Sequence, residues 1–189
     1  MIITISGLPG AGKTTVAKAL AKTLGMRHYS MGDIWGKVAT ERGVTVDDLL
    51  REAESNSALD KTPDEYQKRL GETEDNFITD GLLSFHFIPR SIKIFLAVDL
   101  PVGAERIYHA KKSSTKVRAD EPEYASVEDA RQVVGNRVEM NRKRLKRAYG
   151  VDFRDQRQYD LVVDTTGKTL EQTLQEILDF VKRSPKNNQ

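Results

Sequence analysis

Short apolar runs alternate with longer stretches of helical spacing along most of the chain. Strands are predicted for four apolar runs, at 1–6, 76–79, 92–98 and 161–164. Helices are predicted for three stretches, at 13–24, 101–111 and 170–182. The first and third runs are apolar at nearly every position, which is typical of strands buried on both faces. The order predicts an α/β fold with a doubly wound parallel sheet of about five strands.

Two polar stretches interrupt this alternation. Residues 31–71 are mostly polar and helical, and breaks are expected at Gly43 and Pro63. Residues 112–125 are polar and have no apolar period. Because neither stretch supplies a core of its own, we expect both to be insertions over the sheet rather than separate domains.

Length and composition narrow the class of protein. We expect one domain at 1–183, followed by a disordered tail at 184–189. Lys and Arg total 30 against 28 Asp and Glu, and a net charge of only +2 argues against a protein that mainly coats nucleic acid. The absence of Cys excludes disulfides and thiolate metal sites. The longest strongly apolar run, 94–98, is far shorter than a membrane span of ~20 residues, so we expect a cytoplasmic protein without membrane contact.

The segment between the first strand and the first helix carries the strongest chemical pattern. It consists of Gly7, Leu8, Pro9, Gly10, Ala11, Gly12, Lys13, Thr14 and Thr15, with the spacing GxxxxGKT. Glycines let backbone N–H groups converge on phosphate oxygens, and the helix N-terminus adds about half a positive charge. Lys13 brings a full charge to the β and γ phosphates, and the Thr14 hydroxyl is a ligand for Mg²⁺. A Gly-rich turn formed by chance is the alternative, which the flanking strand and helix disfavour.

A phosphate-binding loop predicts a nucleoside triphosphate but leaves the reaction open, because GTPases, ATPases and small-molecule kinases share it. The guanine-recognition motif Asn-Lys-x-Asp does not occur in the sequence. The chain is also too short for an additional oligomeric ATPase module. Size and motifs together favour a compact kinase that uses ATP and Mg²⁺.

Further motifs follow the loop in a fixed order. They are Ser30-Met31-Gly32-Asp33-Ile34, Asp80-Gly81, Arg106-Ile107, the pair Arg137 and Arg144, Tyr149-Gly150-Val151-Asp152, and the segment 159–165. In their order and spacing the chain resembles the nucleoside monophosphate kinases, and among them the archaeal-type cytidylate kinases. The resemblance covers nearly the whole chain. It implies the P-loop NTPase fold, ATP- and Mg²⁺-dependent phosphoryl transfer to CMP or dCMP, and a monomer whose partners are small nucleotides.

The resemblance also implies which residues carry the chemistry. Lys13, Arg137 and Arg144 are expected to surround the transferring phosphoryl group with positive charge. Arg137 and Arg144 are seven residues apart, about two helical turns, so both can face one side. Asp80 is expected to hold water ligands of Mg²⁺, although an Asp in a strand-to-loop turn is the alternative. A solvated basic helix face is the alternative for the pair, and it is the expectation for Arg142, Lys143, Lys146 and Arg147.

Substrate contacts are implied in the same way. Arg106 is expected to lie against the adenine ring, unless it is an ordinary surface arginine. Ser30, Asp33 and Gly81 are expected to bind the acceptor, although the first two can equally cap the following helix. Within this resemblance, the stretch at 31–71 is the acceptor-binding insertion and the stretch at 112–125 is a lid.

Two positions depart from the family pattern and leave the acceptor open. Gly36 and Leu82 stand where the family usually has arginines that hold the acceptor phosphate, and losing such a contact costs about 1.5–3 kcal/mol. Among the remaining cations we expect Arg90 to replace them. The other candidates are Lys37, Arg51, Arg69, Lys111, Lys112, Lys116 and Arg118.

Other residues and other functions remain as alternatives. His28, His86 and His109 have no metal-ligand spacing, so packing or surface positions are expected for them, and core packing is favoured over base stacking for Trp35. One alternative function keeps the ATP site and changes the acceptor to another small molecule. The other is an ATP-binding regulatory or RNA-associated module without transferase activity.

Overall fold

The computed structural model describes residues 1–55, 58–113 and 123–184. Most of the predicted lid at 112–125, and the predicted tail at 184–189 except Ser184, lie outside the described residues. The strands are β1 (Ile2–Gly7), β2 (Arg27–Ser30), β3 (Phe77–Asp80), β4 (Ile92–Ala97) and β5 (Leu161–Asp164). The helices are α1 (Lys13–Leu24), α2 (Met31–Arg42), α3 (Val46–Ser55), α4 (Ala58–Thr73), α5 (Ser84–Phe87), α6 (Leu100–Ser113), α7 (Val127–Tyr149) and α8 (Leu170–Arg183).

The five strands form one parallel sheet in the order β2-β3-β1-β4-β5. This confirms the predicted parallel sheet. Strand β1 lies at its centre, where Ile3 is aligned with Ile78 of β3 on one side and with Ile92 of β4 on the other. Every residue of β1 is buried, which accounts for its nearly continuous apolar sequence.

Helices cover both faces of the sheet, as the prediction of a doubly wound fold requires. On one face Val16 of α1 and Ile177 of α8 belong to a core cluster with Ile5. On the other face Val138 of α7 packs in a second cluster with Phe95. Helix α4 joins this second cluster through its buried Leu70.

Helices α2, α3 and α4 occupy the polar stretch that follows β2. Helix α2 begins after Ser30, whose side chain accepts a hydrogen bond from the backbone N–H of Asp33 at 3.4 Å. It ends at Gly43, which has φ 67°, so the predicted break there is confirmed. The break predicted at Pro63 is wrong, because Pro63 lies inside α4. A proline in the second turn of a helix removes one backbone hydrogen bond and crowds the preceding turn, and the burial of Pro63 and Leu70 offsets this cost.

Two glycines let the loop after β1 sit tightly against the rest of the fold. Gly7 has φ 146°, and a Cβ atom there would lie 2.2 Å from the carbonyl oxygen of Leu96. At Gly10 a Cβ atom would lie 2.2 Å from the carbonyl oxygen of Gly103 in α6. A larger residue at Gly7 would push the loop away from β4, and one at Gly10 would push it away from α6. These two glycines therefore allow the loop to pack closely against both elements.

Candidate functional site

Helix α1 begins directly at the phosphate-binding loop. Its N-cap is Gly12, no side chain caps its first turn, and that turn contains no acidic residue. The first backbone N–H groups of α1 therefore face the loop as donors for an anion. The ammonium of Lys13 donates to the carbonyl oxygens of Gly7 at 3.1 Å and Leu8 at 3.0 Å, which holds it against the loop.

The environment of Lys13 disfavours its charged form. Desolvation of the ammonium lowers its pKa to about 8, and the nearby positive charge of Arg137 acts in the same direction. The negative charge of Asp80 opposes both effects. A phosphate group would supply the missing negative charge, so Lys13 is suited to bind an anion here.

This lowered pKa predicts a pH-dependent gain in stability for Lys13→Met. In the unfolded chain Lys13 takes its ordinary pKa, so between about pH 8 and 10.5 the unfolded state binds more protons. The Lys13 charge therefore opposes folding fully below pH 8, and this penalty disappears as the pH rises toward 10.5. We therefore compare the free energy of unfolding of Lys13→Met with that of wild type at each pH. We expect this difference to favour the variant by on the order of 2 kcal/mol more at pH 7 than at pH 10.

Denaturant unfolding of both proteins without nucleotide, at pH 7 and at pH 10, measures this difference. Titration of other groups is common to the two proteins and cancels in the comparison. A difference in unfolding free energy that stays constant over this range would show that Lys13 titrates normally.

Asp80 ends β3 beside the phosphate-binding loop, and the residue is only 3% exposed. One carboxylate oxygen, Oδ2, accepts a hydrogen bond from the Thr14 hydroxyl at 2.7 Å and one from the Ser30 hydroxyl at 3.4 Å. Strands β1 and β3 are neighbours, so their carboxyl ends bring these residues to one edge of the sheet. The arrangement places the Asp80 carboxylate and the Thr14 hydroxyl at the N-terminus of α1, and both groups are of a kind that can ligate a metal ion.

His28 completes the surroundings of Asp80 and was missed in the sequence. Its Nε2 lies 2.6 Å from Oδ1 of Asp80, and the His28 side chain is only 14% exposed. The register between β2 and β3 aligns Ser30 with Asp80. His28 is two residues before Ser30, so both side chains point to the same face of the sheet. That period of two is the one sequence signal that indicates the contact.

A cavity of about 500 Å³ opens beside this edge of the sheet. Its lining includes Lys13 and Asp80 from the strand ends, and Arg137 and Arg144 from α7. Arg144 is 5% exposed, donates to Oδ1 of Asn141 at 3.2 Å and lies 5.7 Å from the centre of the Trp35 ring. The cavity therefore combines three cations with one buried carboxylate around the phosphate-binding loop.

Only some of the residues predicted to bind the acceptor line the larger cavity. Gly81 lines it, and a Cβ atom at Gly81 would lie 2.6 Å from the Ser84 hydroxyl oxygen. Leu82 also lines it, so an apolar side chain stands where the family pattern has an arginine. Ser30 reaches the site through Asp80 and also caps α2. Asp33 is exposed on the first turn of α2 and is not among the lining residues.

The structure places Arg90 elsewhere. Its guanidinium donates to the carbonyl oxygens of Gly71 and Glu74 and forms an ion pair with Asp75 at 2.6 Å. Arg90 therefore stabilises the end of α4 and does not replace the missing arginines in the larger cavity. The reason is tertiary: the carbonyl groups at the end of this helix attract a cation.

The other candidate cations also lie apart from the larger cavity where the structure describes them. Arg51 pairs with Asp48 at 3.1 Å, and Lys111 pairs with Glu123 at 3.2 Å. Lys37, Arg69 and Lys112 are exposed and do not line the cavity. Lys116 and Arg118 lie outside the described residues.

A smaller cavity of about 400 Å³ lies on the other side of the phosphate-binding loop and is lined by Gly10, Gly12 and Arg106. Arg106 donates to the carbonyl oxygens of Thr165 at 2.8 Å and Thr166 at 2.9 Å. A longer contact of 3.4 Å reaches the carbonyl oxygen of Gly10. Arg106 thus joins the phosphate-binding loop to the loop after β5 and is not an ordinary surface arginine.

Comparison of the sequence with models of known protein families identifies the family of this chain. The model of the cytidylate kinase-like family matches residues 2–167. The chain belongs to the cytidylate kinase-like family. This membership confirms the resemblance found in the sequence and, with it, the prediction of a nucleoside monophosphate kinase that uses ATP.

Curated relatives support the membership over most of the chain. The cytidylate kinase of Methanothrix thermoacetophila is 36% identical over 165 residues, which are 87% of this chain and 88% of that protein. The cytidylate kinase of Archaeoglobus fulgidus is 32% identical over 183 residues, 96% of this chain and 95% of that protein.

Solved structures agree on the fold. An uncharacterised protein from Eubacterium ventriosum gives a TM-score of 0.69 at 16% identity and covers 97% of this chain and 99% of that chain. Shikimate kinase from Acinetobacter baumannii gives 0.61 at 17% identity and covers 96% of this chain and 92% of that chain. Among the helices that the structure describes, none has the length and apolar character needed to cross a membrane.

Proposed function

We propose that this kinase transfers the γ-phosphoryl group of ATP to CMP or dCMP and releases ADP with CDP or dCDP. One observation carries the proposal: the larger cavity extends from Lys13 and the phosphate-binding loop to side chains of α2 and α4. A phosphate donor and an acceptor can therefore meet in one cavity. The names of the curated relatives favour a cytidine monophosphate as the acceptor.

The cations of the larger cavity supply the catalysis in this proposal. Phosphoryl transfer spreads negative charge over the equatorial oxygens of the moving group, and catalysis depends on positioning and charge stabilisation. Lys13 approaches from the loop, and Arg137 and Arg144 approach from α7. The fixed fork of an arginine suits two-point contact with phosphate oxygens. With Gly36 and Leu82 in place of arginines, Arg137 and Arg144 also hold the acceptor phosphate.

The residues beside the loop suit a magnesium ion. Mg²⁺ prefers oxygen ligands and usually binds through one or two carboxylates together with substrate phosphates. Thr14 and Asp80 offer a hydroxyl and a carboxylate 2.7 Å apart at the N-terminus of α1. The ion, when bound, neutralises charge on the β and γ phosphates. His28 and Ser30 keep the Asp80 carboxylate in a fixed orientation.

The adenine ring of ATP occupies the smaller cavity in this proposal. Arg106 fixes the wall of that cavity through Thr165 and Thr166, and its planar guanidinium can stack on the base. Helices α2, α3 and α4 form the acceptor-binding region, which corresponds to the predicted insertion at 31–71.

An assay of ADP release across CMP, dCMP, UMP, AMP and GMP tests the proposal. We expect CMP and dCMP to raise ADP release well above the rate without an acceptor. Equal background rates with all five nucleotides would contradict the proposed acceptor.

The apolar side chain of Leu82 in the larger cavity favours one second candidate, a hydroxylated acceptor without a phosphate. Cytidine in the same assay separates the two cases. If Arg137 and Arg144 hold an acceptor phosphate, CMP is a far better substrate than cytidine. Equal rates with cytidine and CMP would favour the second candidate.

A further inference from the structure

Helix α4 presents two polar side chains to the larger cavity that phosphoryl transfer does not use. Asp64 and Gln67 are three residues apart on the helix, so they are neighbours on one face, and both line the cavity. Gln67 is only 4% exposed. A buried amide in a substrate cavity needs hydrogen-bond partners, and its contacts indicate which partner the ligand supplies.

The amide of Gln67 is held in one orientation. Its Oε1 accepts a hydrogen bond from the buried Ser84 hydroxyl at 2.7 Å. The Ser84 hydroxyl is itself confined, because its oxygen lies 2.6 Å from the place of a Cβ atom at Gly81. Only a glycine at 81 leaves room for this hydroxyl. Since the amide oxygen is occupied by Ser84, the NH₂ group of Gln67 is the part that can donate to a ligand.

The carboxylate of Asp64 is positioned by a contact with α7. Its Oδ2 accepts a hydrogen bond from the hydroxyl of Tyr149, at the end of α7. An ionised carboxylate can only accept hydrogen bonds, so Asp64 adds an acceptor beside the donor of Gln67. Apolar side chains also line the cavity, among them the buried Met31 and Leu83. An apolar surrounding makes a correct hydrogen bond stronger and a mismatched one more costly.

We propose that Gln67 and Asp64 read the base of the acceptor and select cytosine over uracil. This inference rests on the proposed function. On cytosine, the ring nitrogen N3 is an acceptor and stands next to the exocyclic amine, which is a donor. Gln67 donates to N3, and Asp64 accepts from the amine. Uracil presents an N–H at position 3 and a carbonyl oxygen at position 4. The Gln67 donor would then face another donor, and the Asp64 acceptor would face another acceptor.

Calorimetric titration with CMP and with UMP, in the absence of ATP, tests the selection directly. We expect wild type to bind CMP at least about tenfold more tightly than UMP, since one mismatched hydrogen bond to a charged group costs a factor of about 10–100. Asp64→Asn keeps an acceptor for Tyr149 and can turn an NH₂ group toward the uracil carbonyl. This variant is expected to lose most of the preference for CMP.

Two further variants make the outcome specific. Ser84→Ala removes the hydroxyl that orients Gln67, so the amide can rotate to accept from uracil, and the preference for CMP falls severalfold. Glu65→Gln neutralises an exposed carboxylate next to Asp64 on the same helix and is expected to keep the wild-type preference. Thermal melting of each variant establishes whether it is folded. If Asp64→Asn does not fold, the preference of Ser84→Ala for CMP over UMP decides the test.

Equal binding of CMP and UMP to wild type would overturn the inference, as would an unchanged preference in the folded Asp64→Asn and Ser84→Ala variants. The proposed function fails in a different way. In that case CMP binds selectively, but no CDP forms when ATP and Mg²⁺ are added.

Discussion

Lys13→Ala is expected to abolish almost all phosphoryl transfer while leaving the fold intact. Lys13 lies at the end of the phosphate-binding loop and lines the larger cavity. Within this loop it is the one side chain that brings a positive charge to the β and γ phosphates. Removing a preorganised group that stabilises transition-state charge typically lowers kcat about 100- to 1,000-fold. The fold is expected to persist, because the variant loses a charge whose desolvation lowers its pKa to about 8.

Steady-state kinetics with CMP as acceptor, together with a thermal melt, measure both parts of this prediction. Lys18→Ala is the matched control, since Lys18 is an exposed lysine on the same helix. The control is expected to retain wild-type kinetics. Turnover of Lys13→Ala at the wild-type rate would mean that the loop does not hold the transferred phosphate.

Asp80→Asn is the second substitution for which we expect a large loss. The carboxylate accepts hydrogen bonds from Thr14 and Ser30 on one oxygen and contacts His28 with the other. An asparagine keeps the shape but turns an NH₂ group toward one of these partners. It also removes the negative charge that raises the pKa of Lys13, so less of Lys13 is protonated at neutral pH. We expect kcat/KM to fall about 100- to 1,000-fold, the range seen for a preorganised electrostatic group.

The magnesium dependence separates a functional role of Asp80 from a purely structural one. Calorimetry with ATP at several Mg²⁺ concentrations is expected to show a higher half-saturating concentration for Asp80→Asn. Glu128→Gln is the control, because its side chain is 81% exposed on α7, pairs only with the surface residue Arg131 among the described contacts, and does not line the larger cavity. An unchanged magnesium dependence in a folded Asp80→Asn protein would remove Asp80 from the proposed metal site.

Contiguous features of the site could be predicted from the sequence. The phosphate-binding loop is encoded in one segment, because its glycines, Lys13 and the start of α1 are neighbours along the chain. The central strands could be predicted for a similar reason: burial on both faces leaves a nearly continuous apolar run in β1. The contact of His28 with Asp80 was not predicted. It depends on β2 pairing with β3, which are about 50 residues apart.

The acceptor side of the cavity was the least predictable part. Asp64 and Gln67 are ordinary polar residues of a polar helix, and contacts of α4 with α5 and with the end of α7 direct them inward. Arg90 shows the opposite case. From the sequence, Arg90 is expected to replace the missing arginines, whereas in the folded chain it binds the carbonyl groups at the end of α4. Contacts between distant segments decide both outcomes, and local sequence patterns do not encode them.

The product balance of a reaction with ATP, CMP and Mg²⁺ tests the central claim most directly. Chromatographic separation of the nucleotides gives the amounts of ADP and CDP, and a phosphate assay gives the hydrolysed fraction. If the larger cavity joins the ATP phosphates to a cytidine monophosphate, ADP and CDP form in equal amounts with little free phosphate. ADP accompanied by an equal amount of free phosphate, without CDP, would contradict the account.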